Sequence, residues 1–427
     1  MQAFHVRGGR ALSGTVHVGG AKNSALKLVA AALLARGRFT IRNVPDILDM
    51  ESMAAVLRHL GVAVSATEDT YVLDVPDEVG TSTPAGLVRS LRASIVVLGP
   101  LLARCGRVRV AQPGGCNLGS RGIDLHLSGL ERLGAAITYG EDYIEARADR
   151  LVGTHLELPY ASVGATENLL MAAVTAHGTT RIANAAREPE IADLAAFLWA
   201  MGADIRGAGT SEITVRGVGA LAPADHVVVP DRIEAGTYAV AAALAGGEVK
   251  IDGVVPEHLG MPLSKLRALG VEIDEGDGHL VVRGRRRATG APRRLRSLDL
   301  VTLPYPGFPT DLQPQLLVLL SQASGLSMVT ENVFDARYSM VAELRRMGAD
   351  ITLEGHHALV RGPSALRGAT VRATDLRAGA ALVLAGLVAH GETVVTEPQH
   401  IDRGYSDLAA RLRALGADVE RRDTTVT

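Results

Sequence analysis

The residues best suited to covalent chemistry lie in one glycine-rich segment, Gln112-Pro-Gly-Gly-Cys-Asn-Leu-Gly-Ser-Arg-Gly-Ile-Asp-Leu-His126. Cys116 follows a proline and two glycines, so we expect it on an exposed loop, and Arg121 is close enough to favour its nucleophilic thiolate form. The segment therefore predicts a reactive thiol at Cys116. Cys105, at the end of an apolar stretch, is instead typical of a small buried side chain. His126 is either a base or a polar contact at the start of a helix.

Polar residues also gather immediately before six apolar stretches. Serine, threonine and aspartate in such places are typical helix caps, and capping alone would explain each of them. Together they predict six helix N-termini, whose free N–H groups and partial positive charge suit anions. The segments read Gly20-Ala-Lys-Asn-Ser24, Ser90-Leu-Arg-Ala-Ser94, Ser162-Val-Gly-Ala-Thr-Glu167, Asp231-Arg-Ile-Glu234, Pro309-Thr-Asp-Leu312 and Thr374-Asp-Leu-Arg-Ala378.

Four of these polar segments also carry a full positive charge, on Lys22, Arg92, Arg232 and Arg377. Any one of the four is explained equally well as an ordinary surface charge. Their recurrence at equivalent places indicates a substrate with several negative groups.

Asp311, Arg337 and Arg403 are weaker candidates for chemistry. Asp311 lies in Phe308-Pro-Thr-Asp-Leu-Gln313, where a helix cap would account for it. The histidines lack the spacing of a metal site. The chain has neither a phosphate-binding P-loop motif nor a G-x-G-x-x-G motif after a strand, so we predict no metal and no cofactor. The residues alone indicate an enzyme acting on a small anionic substrate and do not specify its reaction.

Repeated helices must position these residues, because one sequence unit occurs six times in the chain. In each unit an amphipathic stretch ends at a glycine that can close a helix in the left-handed conformation, and a β-like run follows. These glycines recur at intervals of about 70 residues. They are Gly61, Gly134, Gly202, Gly270, Gly348 and Gly416.

A second helix lies upstream in each unit and is apolar nearly all round, which predicts burial on all sides. We therefore expect helices gathered in the middle of each domain, with sheets around them. The six predicted ranges are 25–34, 93–103, 168–176, 236–245, 315–323 and 379–389.

The composition agrees with such a fold. A chain of 427 residues is long enough for two domains, and with only 3% aromatic residues the cores must rely on Ala, Val and Leu. Apolar runs are much shorter than the ~20 residues that span a bilayer, and we see no secretory signal. Two cysteines give no disulfide framework, so a cytoplasmic location is expected. A net charge of −2 argues against nucleic-acid binding.

Several motifs, taken in order, resemble those of the enolpyruvyl transferases. They are Pro-Gly-Gly-Cys, Ser-Val-Gly-Ala-Thr, Asn-Ala-Ala-Arg-Glu-Pro-Glu, Phe-Pro-Thr-Asp and Asp-Leu-Arg-Ala, and the likeness runs from Gly19 to Ala417. The resemblance implies an α/β fold of two inside-out barrel domains, each of three units with buried helices surrounded by sheets. It places the domains at residues 22–229 and at 1–21 plus 230–427. It also implies that the substrate lies between them and that the Cys116 loop closes over it as a lid.

The activity implied by the resemblance is transfer of the enolpyruvyl group of phosphoenolpyruvate to the 3-hydroxyl of UDP-N-acetylglucosamine, through a tetrahedral ketal and with release of phosphate. This is the first committed step of peptidoglycan precursor synthesis. The implied catalytic residues are Asp311 as general base, Cys116 in acid catalysis or product release, and Lys22 and Arg403 at the phosphate. The implied substrate-binding residues are Asn23, Arg92, Arg121, Asp124, Leu125, Ser162, Val163, Gly164, Asp231, Val333, Arg337, Asp375 and Arg377.

Two positions depart from the family pattern, both where the nucleotide is expected. Gly122 stands where proline is common, and Tyr160 where a lysine is found in relatives. A paralogue that uses another nucleotide, such as uridine monophosphate, in specialised metabolism therefore stays open. A six-unit DNA clamp would need a basic inner surface, whereas the arginines here collect at glycine-rich loops and helix starts. A catalytically silent homologue is opposed by the joint presence of Cys116, Asp311, Lys22 and Arg403.

The cysteine assignment predicts that fosfomycin adds covalently to Cys116 and not to Cys105, because only the loop thiol combines exposure with a nearby arginine. Mass spectrometry of peptides from the chain treated with fosfomycin and nucleotide sugar would locate the adduct. A Cys116→Ser variant is the control. Unmodified Cys116 under these conditions would refute the reactive thiol.

Overall fold

The computed structural model describes residues 2–84, 86, 92–111, 122–284 and 295–423. The described residues form two compact units with separate hydrophobic cores. The N-unit lies within residues 20–229, and the C-unit comprises residues 2–19 together with those from 230 onward. Among the described residues, the chain passes from one unit to the other after Gly19 and after Val229.

The described part of each unit contains three inner helices that are mostly apolar and buried, in agreement with the sequence. From Ile233 to Leu244, for example, every residue is buried. Five of the six helices begin a few residues before their predicted starts, because the preceding polar segments form the first helical turns. Near residue 93 the chain is instead a 3-10 helix, Arg92–Val97. The inner helices are Lys22–Ala31, Leu98–Cys105, Val163–Ala173, Arg232–Ala245, Gln313–Ser321 and Leu376–Gly386.

Outer helices bury one face and end at the repeated glycines. The six glycines that follow have φ between 93° and 104°, so the predicted left-handed helix ends are confirmed. A residue with a Cβ would be strained there. The outer helices are Leu48–His59, Asp124–Arg132, Pro189–Ala200, Gly260–Leu269, Val341–Arg346 and Leu408–Ala414.

Three sheets surround the inner helices in the described part of the N-unit. Their orders are β13-β3-β5-β4, β6-β8-β7 and β11-β12-β10-β9. The strands are β3 Gly37–Arg42, β4 Ala63–Thr67, β5 Thr70–Val75, β6 Arg107–Ala111, β7 Ala136–Tyr139, β8 Tyr143–Arg147, β9 His155–Glu157, β10 Thr179–Ala183, β11 Asp204–Arg206, β12 Glu212–Arg216 and β13 Asp225–Val227.

The described C-unit also has three sheets, ordered β15-β16-β14-β2, β17-β18-β20-β19 and β21-β22-β1-β23. Residues 2–17 supply two of these strands and so complete the C-unit. The strands are β1 Gln2–Arg7, β2 Leu12–His17, β14 Gly247–Asp252, β15 Glu272–Gly276, β16 His279–Arg283, β17 Leu300–Val301, β18 Gly325–Thr330, β19 Asp350–Glu354, β20 His357–Gly362, β21 Thr370–Arg372, β22 Glu392–Thr396 and β23 Asp418–Asp423.

One topology recurs in all six sheets. A parallel pair at one edge, such as β2 with β14, is followed by two antiparallel strands, here β16 and β15. In the β6 sheet the parallel partner is reduced to a single bridge between Ser82 and Arg109. The recurrence confirms the α/β fold of six repeated units. Across the described residues, no helix combines the length and apolar character needed to cross a bilayer.

The helix-ending glycines predict an effect on stability that depends on φ alone. A Cβ at Gly270 or at Gly260 would meet no atom within 4 Å, but Gly270 has φ of +99°. Gly260 has φ of −47°. Gly270→Ala should therefore lower the free energy of unfolding by about 1–2 kcal/mol, whereas Gly260→Ala should leave it unchanged or slightly raised. Urea unfolding of both variants tests this, and equal effects would contradict it.

Candidate active site

Lys22 opens the first inner helix of the N-unit and is buried, so it is not an ordinary surface charge. Its Nζ lies 2.7 Å from Asp49 Oδ2, at the start of the outer helix Leu48–His59. Both side chains are almost fully removed from solvent. Pairing with a carboxylate offsets part of the cost of burying the ammonium group.

The backbone of Asn23, in the same helical turn as Lys22, is held by Lys27. Lys27 Nζ donates to the Asn23 carbonyl oxygen at 2.9 Å and lies 3.1 Å from Glu167 Oε2. Glu167 belongs to the inner helix that begins at Val163. Lys27 therefore ties together the starts of two inner helices, which bear the predicted sugar-binding and diphosphate-binding residues.

Glu167 is fully buried. Burial raises the pKa of its carboxyl from 4.5 to about 7, although Lys27 opposes the shift. The nearby carboxylates of Glu190 and Glu188 raise this pKa further, because like charges disfavour ionisation.

Ser162 caps the inner helix Val163–Ala173, since its Oγ accepts from the Ala165 N–H at 3.3 Å. Val163 and Gly164 form the first turn, where helix N–H groups have no intrahelical partner. A Cβ at position 164 would lie 3.1 Å from His126 Cε1, so glycine lets the imidazole approach this turn. The arrangement suits an anion at the helix start.

The tautomer of His126 follows from its neighbour Asn168. Asn168 Oδ1 accepts from the Gly99 N–H at 2.8 Å, which fixes the amide orientation and makes Nδ2 the donor. Nδ2 lies 2.8 Å from His126 Nδ1, so Nδ1 accepts and the neutral ring carries its hydrogen on Nε2. Asn168 also donates to Ile95 O at 3.1 Å, which holds this buried pair in place.

Asp124 and Leu125 begin the outer helix Asp124–Arg132, with Asp124 exposed and Leu125 half-buried. A Cβ at Gly122 would lie 2.1 Å from Asp124 Oδ1. The Asp124 carboxylate thus occupies space that a proline at position 122 would need. Tyr160, the other departure, is 41% exposed.

In the C-unit, Asp231 and Asp375 are helix caps. Asp231 Oδ1 accepts from the N–H groups of Ile233 and Glu234 at 2.8 and 3.0 Å. Asp375 Oδ1 accepts from the N–H of Arg377 at 2.8 Å, as well as from the next residue. Both aspartates are buried.

Asp311 differs from these two aspartates, because it does not occupy an N-cap position. It lies within a 3-10 turn, Thr310–Leu312, whose N-cap residue is Pro309, and the N-cap residue of the helix Gln313–Ser321 is Leu312. Its Oδ1 lies 2.6 Å from Arg337 Nη2, and its Oδ2 lies 3.4 Å from Arg377 Nη2. Two buried guanidinium groups thus orient one carboxylate that is 25% exposed.

Thr310 and Glu331 hold Arg337 in this cluster. Arg337 Nε donates to Thr310 Oγ1 at 3.1 Å, and that hydroxyl donates to Glu331 Oε2 at 3.0 Å. Glu331 Oε1 in turn accepts from the Val333 N–H at 2.8 Å. The half-buried Val333 is therefore fixed by the same network.

Arg377 contributes the donors that point to a ligand. Its side chain is 3% exposed, yet Nε and Nη1 have no hydrogen-bond partner among the described residues. Its guanidinium lies 5.4 Å from the centre of the Tyr405 ring. Tyr405 Oη lies 2.9 Å from Thr237 Oγ1, so the ring is anchored in the core. Unpaired buried donors are costly, and an anion that accepted from Arg377 would remove that cost.

Fewer contacts are described for the remaining predicted residues. Arg403 follows the short helix Gln399–Asp402 and is half-buried. Arg92 begins a 3-10 helix, but its side chain lies outside the description, as do Cys116 and Arg121 entirely. Within the described residues, no three His, Cys, Asp or Glu side chains form a group that could hold a metal ion.

Comparison with known proteins gives the family. Residues 6–412 match the family model for EPSP synthase (3-phosphoshikimate 1-carboxyvinyltransferase). The chain belongs to the enolpyruvyl transferase family. It is therefore an enzyme that transfers a carboxyvinyl, or enolpyruvyl, group.

Three relatives share about half of their residues with this enolpyruvyl transferase. UDP-N-acetylglucosamine 1-carboxyvinyltransferase 1 of Halalkalibacterium halodurans is 51% identical, over 99% of this chain and 94% of its own. The enzymes of Gluconacetobacter diazotrophicus and Granulibacter bethesdensis, named UDP-N-acetylglucosamine 1-carboxyvinyltransferase, are 52% and 50% identical over 99% of each chain.

Solved structures agree with the family. The enolpyruvyl transferase NikO from Streptomyces tendae has a TM-score of 0.89 and 28% identity, over 98% of both chains. An EPSP synthase from Acinetobacter baumannii has a TM-score of 0.75, covering 99% of this chain and 100% of its own. Because the two sequences are only 19% identical, this likeness shows a shared fold and nothing more.

Several residues that contact the predicted site residues are not predicted from the sequence. Asp49, Glu331 and Tyr405 complete the polar networks around those site residues, yet each is far in sequence from its partner. The acidic first turn of an outer helix was a signal for Asp49. Nothing local marks Glu331 or Lys27.

The raised pKa of Glu167 predicts a pH-dependent contribution to stability. Above pH 4.5 the unfolded carboxyl ionises while the folded one keeps its proton up to about pH 7. Relative to Glu167→Gln, the wild type should therefore lose stability between these pH values, by a total on the order of 3 kcal/mol. Urea unfolding at pH 5 and pH 8 measures the difference.

The matched control for Glu167→Gln is Glu157→Gln, which removes an exposed carboxylate of strand β9. A difference between wild type and Glu167→Gln that stays constant from pH 5 to pH 8 would contradict the prediction.

Proposed function

We propose that the chain transfers the enolpyruvyl group of phosphoenolpyruvate to the 3-hydroxyl of UDP-N-acetylglucosamine and releases phosphate, supplying peptidoglycan synthesis in the cytoplasm. Relatives named for this acceptor, 50% to 52% identical over 99% of the chain, support the proposal. The observation that carries the chemistry is the Asp311 carboxylate oriented by Arg337 and Arg377, beside Arg377 Nε and Nη1, which have no hydrogen-bond partner among the described residues.

Asp311 acts as the general base. It takes the proton of the sugar hydroxyl as that oxygen bonds to C2 of phosphoenolpyruvate, while C3 gains a proton to give the ketal. Loss of a C3 proton then expels phosphate and restores the double bond. A carboxylate is an intrinsically weak base, so its contribution comes mainly from positioning.

Basic residues bind the anionic groups. Arg377 receives a negative oxygen of phosphoenolpyruvate or of the ketal through Nε and Nη1, and Arg92 and Arg337 act around the same groups. Lys22, Arg121 and Arg403 hold the phosphate. Such preorganised donors are worth on the order of 3 kcal/mol each in transition-state stabilisation.

Most of the remaining predicted residues bind the nucleotide sugar. Asn23 and Asp311 contact the sugar, and the first turn around Ser162, Val163 and Gly164 receives the diphosphate. The segment from Arg121 to Leu125, with Asp124, contacts the uracil. Cys116 acts in acid catalysis or product release. Asp231 and Asp375 set the starts of two inner helices, and Val333 lines the sugar.

Phosphate release from phosphoenolpyruvate tests the proposal, with UDP-N-acetylglucosamine, uridine monophosphate and shikimate 3-phosphate supplied separately. We expect release only with the nucleotide sugar. Asp311→Asn should lower kcat at least about a hundredfold, which is the usual scale of general-base catalysis. Thermal unfolding in parallel checks that the variant is folded.

The matched control is Asp335→Asn, an exposed aspartate of the same unit that should keep kcat within about twofold of wild type. Release with uridine monophosphate instead would move the function to another nucleotide. An active Asp311→Asn variant would exclude Asp311 as the base.

A further inference from the structure

Asp193 belongs to the N-unit, has a side chain that is 8% exposed, and has no role in the proposed reaction. It lies on the outer helix Pro189–Ala200. Ser24 Oγ donates to its Oδ2 at 2.5 Å, and the Val229 N–H donates to the same oxygen at 3.2 Å. His226 Nε2 lies 2.7 Å from Oδ1, and because an ionised carboxylate only accepts, Nε2 is the donor.

These three donors come from the two segments at which the chain enters and leaves the N-unit. Ser24 lies in the first turn of the helix Lys22–Ala31, directly after Asn23. His226 is in strand β13, and Val229 is the last residue of the unit. The Ala21 N–H also donates to Val229 O at 2.7 Å, so the two segments are bonded to each other as well as to Asp193.

The outer helix provides a rigid base for this contact. Phe197, one turn after Asp193, packs against the His226 ring with 5.4 Å between ring centres. Phe197 also contacts Phe39 of strand β3 at 6.1 Å. Residues four apart lie on one helix face, so the Asp193 carboxylate and the Phe197 ring both contact His226 from the same side of the helix.

We propose that Asp193 is a positioning residue that fixes the helical turn bearing Lys22 and Asn23. This inference depends on the proposed function, because that proposal gives the two residues their roles. A carboxylate beside the start of a helix is also favoured by the helix dipole. Without Asp193, Ser24 loses its acceptor, and the turn that places the Lys22 ammonium is free to shift.

Kinetics of the full-length Asp193→Asn variant test this role. Asparagine keeps the size of the side chain but removes its charge and one acceptor oxygen. We expect kcat/KM for phosphoenolpyruvate to fall about ten- to a hundredfold, because a small displacement of Lys22 and Asn23 would misalign the bound substrates. Inhibition by inorganic phosphate should weaken in parallel. Ser24→Ala should give a smaller loss and add little to Asp193→Asn, because the two variants remove the same contact.

The control is Asp225→Asn, which removes an exposed carboxylate next to His226 that pairs with Arg42 instead. It should leave kinetics unchanged. Hydrogen exchange gives a readout independent of turnover: Asp193→Asn should speed exchange around residues 21–24 and 226–229 and nowhere else.

Wild-type kinetics in Asp193→Asn would overturn the positioning role, as would faster exchange throughout the N-unit, which marks a purely structural residue. A wild-type enzyme that releases no phosphate with UDP-N-acetylglucosamine would instead refute the proposed function. The exchange result would then still decide whether Asp193 fixes the turn.

Discussion

The burial of apolar helices on every side is the constraint on which the structure depends. A helix such as Arg232–Ala245 has no solvent-facing stripe on which to place polar groups. Charged and polar side chains therefore concentrate at the helix starts, where backbone N–H groups lack partners. This explains why most of the predicted site residues fall just before or within the first turn of an inner helix.

Charges in such places must be paired, since an isolated buried charge is very costly. Lys22 pairs with Asp49, and Arg337 pairs with Asp311. Because neighbouring groups satisfy them, these side chains are held in place before substrate binds. Arg377 is the informative exception, because two of its donors have no partner in the described part of the chain. A preorganised site with such donors is poised for a negative ligand.

Equivalent positions of the repeat have taken different roles. Ser162, Asp231 and Asp375 cap their helices, as their residue types predict. Asp311 looks the same in sequence but binds two arginines. The difference comes from Arg337 and Arg377, which belong to other elements of the C-unit, so local sequence could not distinguish a helix cap from a carboxylate that pairs with arginines. The same limit applies to Asp193, whose partner Ser24 is 169 residues away.

The sequence by itself determined the features that depend on a few neighbouring residues. The six-fold repeat, the apolar inner helices and the left-handed glycines after the outer helices are encoded locally, in periodicity and in backbone freedom. Only the tertiary structure decided which charges meet, which aspartates are caps and which arginine has donors without a partner among the described residues. Those outcomes depend on long-range packing, which brings together side chains that no spacing along the chain connects.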